Sequence, residues 1–184
     1  MAALIAGALA QAGDRPASLA AILSDRHRRP LPVLLAAALA LALAGALACL
    51  GGALLAGRLT PAASAIFLGL ALVFQGAGGF LPVKPPERLE GWRFGAFGTA
   101  FAGLFILIFG DGLQFVVLAL AVRADLPWAA AVGATLGAMA VIAPAAVMGE
   151  RAWTRLPQRT IRRAASALFL LAGIALGLSG LGLV

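Results

Sequence analysis

Apolar stretches separated by short charged segments make up the whole of this 184-residue chain. Each stretch is near the roughly 20 residues that a helix needs to cross a bilayer. The pattern therefore predicts six transmembrane helices. They are expected at residues 1–24, 31–57, 61–81, 94–122, 129–149 and 164–184, with polar connections at 25–30, 58–61, 82–93, 123–127 and 150–163.

The composition supports an all-α integral membrane protein. Hydrophobic residues make up 62% of the chain and charged residues 11%, whereas soluble domains carry about 25% charged residues. The net charge of +7 does not indicate a nucleic-acid binder, because basic nucleic-acid surfaces do not coincide with apolar runs of membrane-spanning length. The first stretch contains Ala8-Leu9-Ala10, which resembles a signal-peptide cleavage site, but it lacks a basic leading region. It is therefore predicted to be a retained helix.

An internal repeat is visible in the order of features. The same residue type recurs 97 positions later for Gly13, Asp14, Arg26 and Pro30. The segment 64–68 likewise matches 166–170 at an offset of 102. Each half contains three predicted spans, an odd number, so the halves would enter the membrane in opposite directions. This predicts two inverted three-helix repeats, residues 1–81 and 94–184, joined by a cytoplasmic connector at 82–93.

Basic residues are distributed unevenly between the two sets of connections. The connections after spans one, three and five hold eleven, whereas those on the opposite face hold only Arg58 and Arg123. Because basic residues are enriched in cytoplasmic loops, both termini are expected on the non-cytoplasmic side.

Two carboxylates at membrane depth, Asp14 and Asp111, are the leading candidates for function, since intramembrane charge is costly. On a continuous helix Gln11, Asp14 and Ser18 would form one polar stripe, and Gln114 would lie one turn from Asp111. Oxygen groups of this kind suit hard cations such as Mg²⁺, Ca²⁺ and Mn²⁺. The spans contain no histidine, and Cys49 is the only cysteine, which argues against zinc or copper. Glycines beside Asp111 would permit a local helix distortion.

These segments resemble the Golgi-type manganese and calcium/proton antiporters and their bacterial relatives, within the lysine-exporter-like superfamily. That family carries two copies of Glu-x-Gly-Asp-[Lys/Arg]-[Ser/Thr], one in the first helix of each repeat. Residues Gly13, Asp14 and Arg15 match the first copy, and Gly110 and Asp111 match the second. The chain departs from the pattern at Gln11 and Ile108, which replace the glutamates, and at Pro16, Gly112 and Leu113.

The resemblance implies a multi-pass inner-membrane transporter that exports a divalent cation, Mn²⁺ or Ca²⁺, in exchange for protons by alternating access. The candidate cation ligands are Asp14, Asp111, Gln11, Gln114 and Ser18, with Arg15, Gly13 and Gly110 in support. The formal charge of Asp14, Asp111 and Arg15 is minus one, against minus two for the complete motif. No resident cofactor and no nucleic-acid partner are expected; the bilayer is the surrounding medium. The oligomeric state, a homo-oligomer included, stays open.

Other interpretations of the same residues remain. The chain could export another small solute, or act as a membrane scaffold that does not transport. Asp14 and Asp111 could form a structural pair between the repeats, and an ion pair between Arg15 and Asp111 would fill the site. The two glutamines could join helices by hydrogen bonds, and Ser18 could be structural. An enzyme is not expected, because no catalytic set of residues lies at one depth.

Overall fold

The computed structural model describes residues 1–183, and over these residues the chain forms eight helices and no strand. The helices are α1 Ala2–Gln11, α2 Arg15–His27, α3 Pro30–Leu55, α4 Pro61–Phe80, α5 Gly95–Phe109, α6 Gly112–Arg123, α7 Pro127–Trp153 and α8 Gln158–Gly180. Within the described chain, α3, α4, α7 and α8 are each long and apolar enough to cross a membrane. The bent pair α5–α6 makes a fifth candidate span if it is counted as one. The predicted all-helical membrane architecture is confirmed at this level, whereas the sixth span and the inverted repeat stay predictions.

Proline sets the start of several helices. It lies in the first two positions of α2, α3, α4 and α7, where its missing N–H removes no helical hydrogen bond. At α4 the Thr60 side chain also accepts a hydrogen bond from the Ala63 N–H. The predicted turn at 58–61 is therefore confirmed, and the connector at 82–93 is non-helical as expected.

The prediction of one continuous helix over residues 1–24 is wrong. Helix α1 ends at Gln11 and α2 begins at Arg15. Between them Gly13 has a φ of +77°, a left-handed conformation that glycine adopts without steric cost. Pro16 occupies the first turn of α2 instead of the interior of a longer helix. The predicted polar stripe of Gln11, Asp14 and Ser18 on one helix is wrong for the same reason.

The predicted span 94–122 is interrupted as well. Helix α5 ends at Phe109, α6 begins at Gly112, and the two are bent by 66°. The prediction that glycines would permit a distortion beside Asp111 is confirmed. Each half of the chain thus contains, in order, a broken pair of short helices and two long helices.

The last two helices extend beyond their predicted limits. Helix α7 continues to Trp153 through an interruption at Gly149, whose φ is +76°. Helix α8 begins at Gln158, six residues before the predicted start, so the basic connection is largely helical. It ends at Gly180, and the predicted end near Val184 lies outside the described residues.

Small residues bring the helices together. One buried cluster joins α2, α3, α5 and α7, and a second joins α1, α3, α4, α6, α7 and α8. Gly133 and Gly137 of α7 lie against the backbone of α1, and Gly69 of α4 lies against the backbone of α8. Close approach through glycine, expected from the composition, is confirmed. Helices α3 and α7 contribute to both clusters, so they form the centre of the molecule.

Candidate cation site

Asp14 and Asp111 occupy corresponding positions in the two halves. Asp14 is the N-cap of α2 and Asp111 is the N-cap of α6, and each follows a break between two helices. The N-terminus of a helix carries partial positive charge and free N–H groups, which favour a carboxylate. Neither side chain makes a well-aligned capping hydrogen bond, although the backbone N–H groups of Gly112 and Leu113 lie close to the Asp111 carboxylate.

The structure brings these two carboxylates together. Both line one cavity of about 460 Å³, bounded by parts of α1, α4, α8, the connector and the two helix breaks. Arg15 lines the same cavity, so its positive charge and the two negative charges share one space. Oδ2 of Asp111 is buried without a hydrogen-bond partner in the described chain. Two acidic groups that lie 97 positions apart in sequence thus line one cavity.

The two predicted glutamine ligands, Gln11 and Gln114, are not among the described residues that line this cavity. Gln11 is fully buried at the end of α1, and neither its amide oxygen nor its nitrogen has a partner within residues 1–183. The amide oxygen of Gln114 is also buried and unpartnered there. Unsatisfied buried polar groups typically cost about 1–3 kcal/mol each, and they concentrate at sites that bind water or an ion.

Ser18 does not line the smaller cavity that Asp14 and Asp111 share. Its hydroxyl donates a hydrogen bond of 3.3 Å to the backbone carbonyl of Asp14. It lines a second cavity, of about 590 Å³, that reaches the connector and the start of α8. The contact of Ser18 with Asp14 therefore runs through the backbone and holds the first turn of α2.

The two cavities form one hollow on the connector side of the molecule, because they share Asp14, Arg15, Lys84, Arg162 and the end of α4. The halves differ here. Helix α4 packs directly against α6, whereas the corresponding helices α8 and α2 face each other across the larger cavity. The site is thus approached from the side that bears the connector.

Three cationic side chains, Arg15, Lys84 and Arg162, also line the smaller cavity. Arg162 donates to the carbonyls of Gly78 and Leu81 at 2.8 and 3.0 Å, at the end of α4 where the helix dipole is negative. The described residues contain a single salt bridge, Arg88–Glu150, and neither partner lines the smaller cavity. The site is therefore not filled by an ion pair between Arg15 and Asp111.

Glycine shapes the first helix break. A methyl group at Gly13 would overlap the backbone carbonyl of Gln158, at the start of α8. Gly13 therefore combines a left-handed conformation with a close approach to α8. Gly110 has an ordinary φ of −86°, so the second break does not depend on a left-handed residue. The two matched motifs place their aspartates similarly but by different backbone geometry.

Four polar residues of the cavity were not predicted as site residues: Lys84, Arg162, Ser166 and Gln75. Gln75 lies on α4 and lines the cavity that holds Asp14 and Asp111. The signal was present in the sequence, because Gln75 is the only amide side chain within the apolar segment 61–81. No group of three or more His, Cys, Asp or Glu side chains is close enough to hold a metal in the part of the chain that the structure describes. A cation here would be held by two carboxylates together with neutral oxygens.

Comparison with known proteins identifies the family. The model of the divalent cation/proton antiporter GDT1 family matches residues 1–85 and 96–182. The chain belongs to this family. A protein of Vibrio cholerae serotype O1 named "Putative manganese exporter" is 31% identical over 174 residues, which cover 91% of this chain and 84% of the relative. No solved structure matches the chain.

Membership of the GDT1 family agrees with the apolar helices of the structure. The predicted resemblance to the manganese and calcium/proton antiporters is confirmed. This GDT1-family chain is a multi-pass membrane protein of a cation transporter family and not an enzyme.

Proposed function

We propose that this protein exports a divalent cation, Mn²⁺ or Ca²⁺, in exchange for protons. The observation that supports this most strongly is that Asp14 and Asp111 line one cavity. Within residues 1–183 neither side chain forms a well-aligned capping hydrogen bond or an ion pair. The name of the Vibrio cholerae relative favours manganese as the first cation to test.

The two carboxylates can bind either a cation or protons. When both are ionised they carry two negative charges, which balance one divalent cation, and their oxygens suit Mn²⁺ or Ca²⁺. When the cation leaves, two like charges facing one cavity favour proton uptake. Cation and proton therefore compete for the same oxygens, so that cation binding weakens as pH falls. Return of protons down their gradient would drive cation export.

Alternating access would use the two halves as inverted repeats. The broken pair α1–α2 would then cross the membrane as one span, as would α5–α6, giving six spans in total. The repeated order of a broken pair and two long helices supports this arrangement. In transporters of this design, broken helices place their ends at a site near the midplane.

The open hollow supports a state in which the site faces the cytoplasm. The hollow lies on the side of the connector, where basic residues are concentrated and which the distribution of charge assigns to the cytoplasm. Closing the space between α2 and α8, and opening the packed contact between α4 and α6, would expose the site to the opposite side. Both termini would lie on the non-cytoplasmic side of the inner membrane.

Purified protein in proteoliposomes tests the proposal. An imposed proton gradient should drive Mn²⁺ uptake, and an imposed Mn²⁺ gradient should move protons in the opposite direction, which a trapped pH dye would report. Liposomes without protein are the control. If neither gradient drives the other ion for Mn²⁺ or Ca²⁺, exchange is ruled out, and a panel of other small solutes separates a different exporter from a scaffold.

A further inference from the structure

Gln75 places an amide group in the wall of the cavity that holds the two carboxylates. Helix α4 is apolar around it, and the side chain is half-buried. No hydrogen bond from the Gln75 amide forms within the described chain. A polar group in a membrane-spanning helix that is left free beside a cavity is costly unless something else binds it.

The amide oxygen of Gln75 points at the second helix break. A methyl group added at Gly112 would overlap this oxygen more closely than any other atom. Gly112 is the first residue of α6 and follows Asp111 directly. The oxygen of Gln75 therefore lies against the backbone beside Asp111, and only the absence of a side chain at Gly112 leaves room for it.

We propose that Gln75 supplies a neutral oxygen ligand to a divalent cation held by Asp14 and Asp111, and that Gly112 is the residue that admits it. This assignment rests on the proposed cation transport. An amide carbonyl is a common ligand of hard divalent cations and adds no charge. Three protein oxygens from α4 and the two helix breaks would then hold the cation, and water would complete its coordination.

Substitution of Gln75 distinguishes two roles of its side chain: a ligand of the cation, or a contact that only joins two helices. Gln75→Leu removes the oxygen at similar volume and should weaken Mn²⁺ binding about tenfold, as removal of a single group at a metal site commonly does. Gln75→Glu retains an oxygen, adds negative charge and should bind Mn²⁺ at least as tightly as the native chain. Calorimetry of the purified full chain with Mn²⁺ alone measures both, and a thermal unfolding midpoint is recorded for each variant.

Gly112→Ala tests the same oxygen in a second way, because it displaces the Gln75 side chain without changing residue 75. The added methyl group would push the Gln75 oxygen away from the break, so Mn²⁺ binding should weaken to a similar extent. The double variant Gln75→Leu/Gly112→Ala should bind no more weakly than either single variant, because both remove one interaction. Gly177→Ala is the matched control, because a methyl group there meets no atom within 4 Å, and it should bind as the native chain does.

The outcomes distinguish this assignment from the proposed transport. If the native chain binds and transports Mn²⁺ but Gln75→Leu binds it equally well, Gln75 is not a ligand and transport stands. A lower unfolding midpoint with unchanged affinity identifies a helix contact and overturns the assignment. Fully additive losses in the double variant also overturn it. Absence of Mn²⁺ and Ca²⁺ binding by the native chain removes both proposals.

Discussion

The carboxylate of Asp25 on α2 accepts a hydrogen bond of 2.8 Å from the backbone N–H of Glu150 on α7, 125 residues further along the chain. The contact lies at Gly149, where the backbone of α7 leaves helical geometry, and a methyl group at Gly149 would overlap the carboxylate. Asp25 thus caps an interruption in a helix of the other half and joins the halves on the connector side.

Removal of this cap should lower stability. Asp25→Ala leaves the N–H of Glu150 without its acceptor, at a cost of about 1 kcal/mol for a solvent-accessible hydrogen bond. Asp25→Asn keeps an uncharged acceptor at the same position and should lose less. Thermal unfolding midpoints in detergent, measured side by side, give the order native, Asn, Ala. Equal midpoints for native and Ala would show that the contact contributes nothing.

Neutralising either cavity carboxylate should abolish exchange. Asp14→Asn and Asp111→Asn each remove one of the two negative charges that would balance the cation and one of the two groups that would carry protons. Mn²⁺-dependent proton flux in proteoliposomes should fall to the level of empty liposomes. Asp125→Asn, the same substitution at an exposed position between α6 and α7, serves as the control and should transport normally. Undiminished flux in both cavity variants would remove the transport proposal.

Lys84 should oppose cation binding through its charge. It belongs to the connector and lines both cavities, so its ammonium group repels a divalent cation entering from that side. Lys84→Gln should tighten Mn²⁺ binding roughly two- to fivefold at low salt, and the gain should shrink as salt screens the charge. Lys84→Arg keeps the charge and should bind as the native chain does. A salt-independent gain in Lys84→Gln would point to a cause other than charge.

Gly13 should be less tolerant of a side chain than another left-handed glycine. Gly13 and Gly57 have φ values of +77° and +79°, so alanine at either position costs about 1–2 kcal/mol of backbone strain. A methyl group at Gly13 also meets the carbonyl of Gln158, whereas at Gly57 it meets no atom within 4 Å. Gly13→Ala should therefore lower the unfolding midpoint clearly more than Gly57→Ala. Similar midpoints would mean that the break and α8 move apart without cost.

The orientation of the third predicted span can be tested by labelling. Cys49 is the only cysteine of the chain, so a Cys49→Ala background has no thiol. Because Cys49 is buried, alanine there leaves the exposed surface unchanged. Arg58→Cys, in the exposed turn between α3 and α4, should react with a membrane-impermeant maleimide in intact cells. Arg93→Cys, in the exposed connector, should react only after the membrane is opened. Labelling of both from one side would contradict the arrangement of the first three spans.

Part of the fold follows from local patterns. Helix boundaries depend on a few neighbouring residues. Proline marks the starts of α3, α4 and α7, and the polar connector marks the division between the two halves. The breaks were harder to predict. Gly110 indicated a distortion beside Asp111, whereas Pro16 was expected inside a helix that the structure divides at Gly13. An apolar run has the same appearance in sequence whether or not the helix within it is continuous.

The sequence by itself determined that this is a helical membrane protein of an antiporter family, because hydropathy, charge and motif matches are properties of the chain in order. It also singled out Asp14 and Asp111, which are predicted to lie at membrane depth. The structure showed that both acids lie at helix N-cap positions after a break. Only the tertiary contacts decided that both acids line one cavity and that Gln75 reaches Gly112. These relationships join residues far apart in sequence. They depend on how closely glycine and alanine let the helices approach, which no local pattern records.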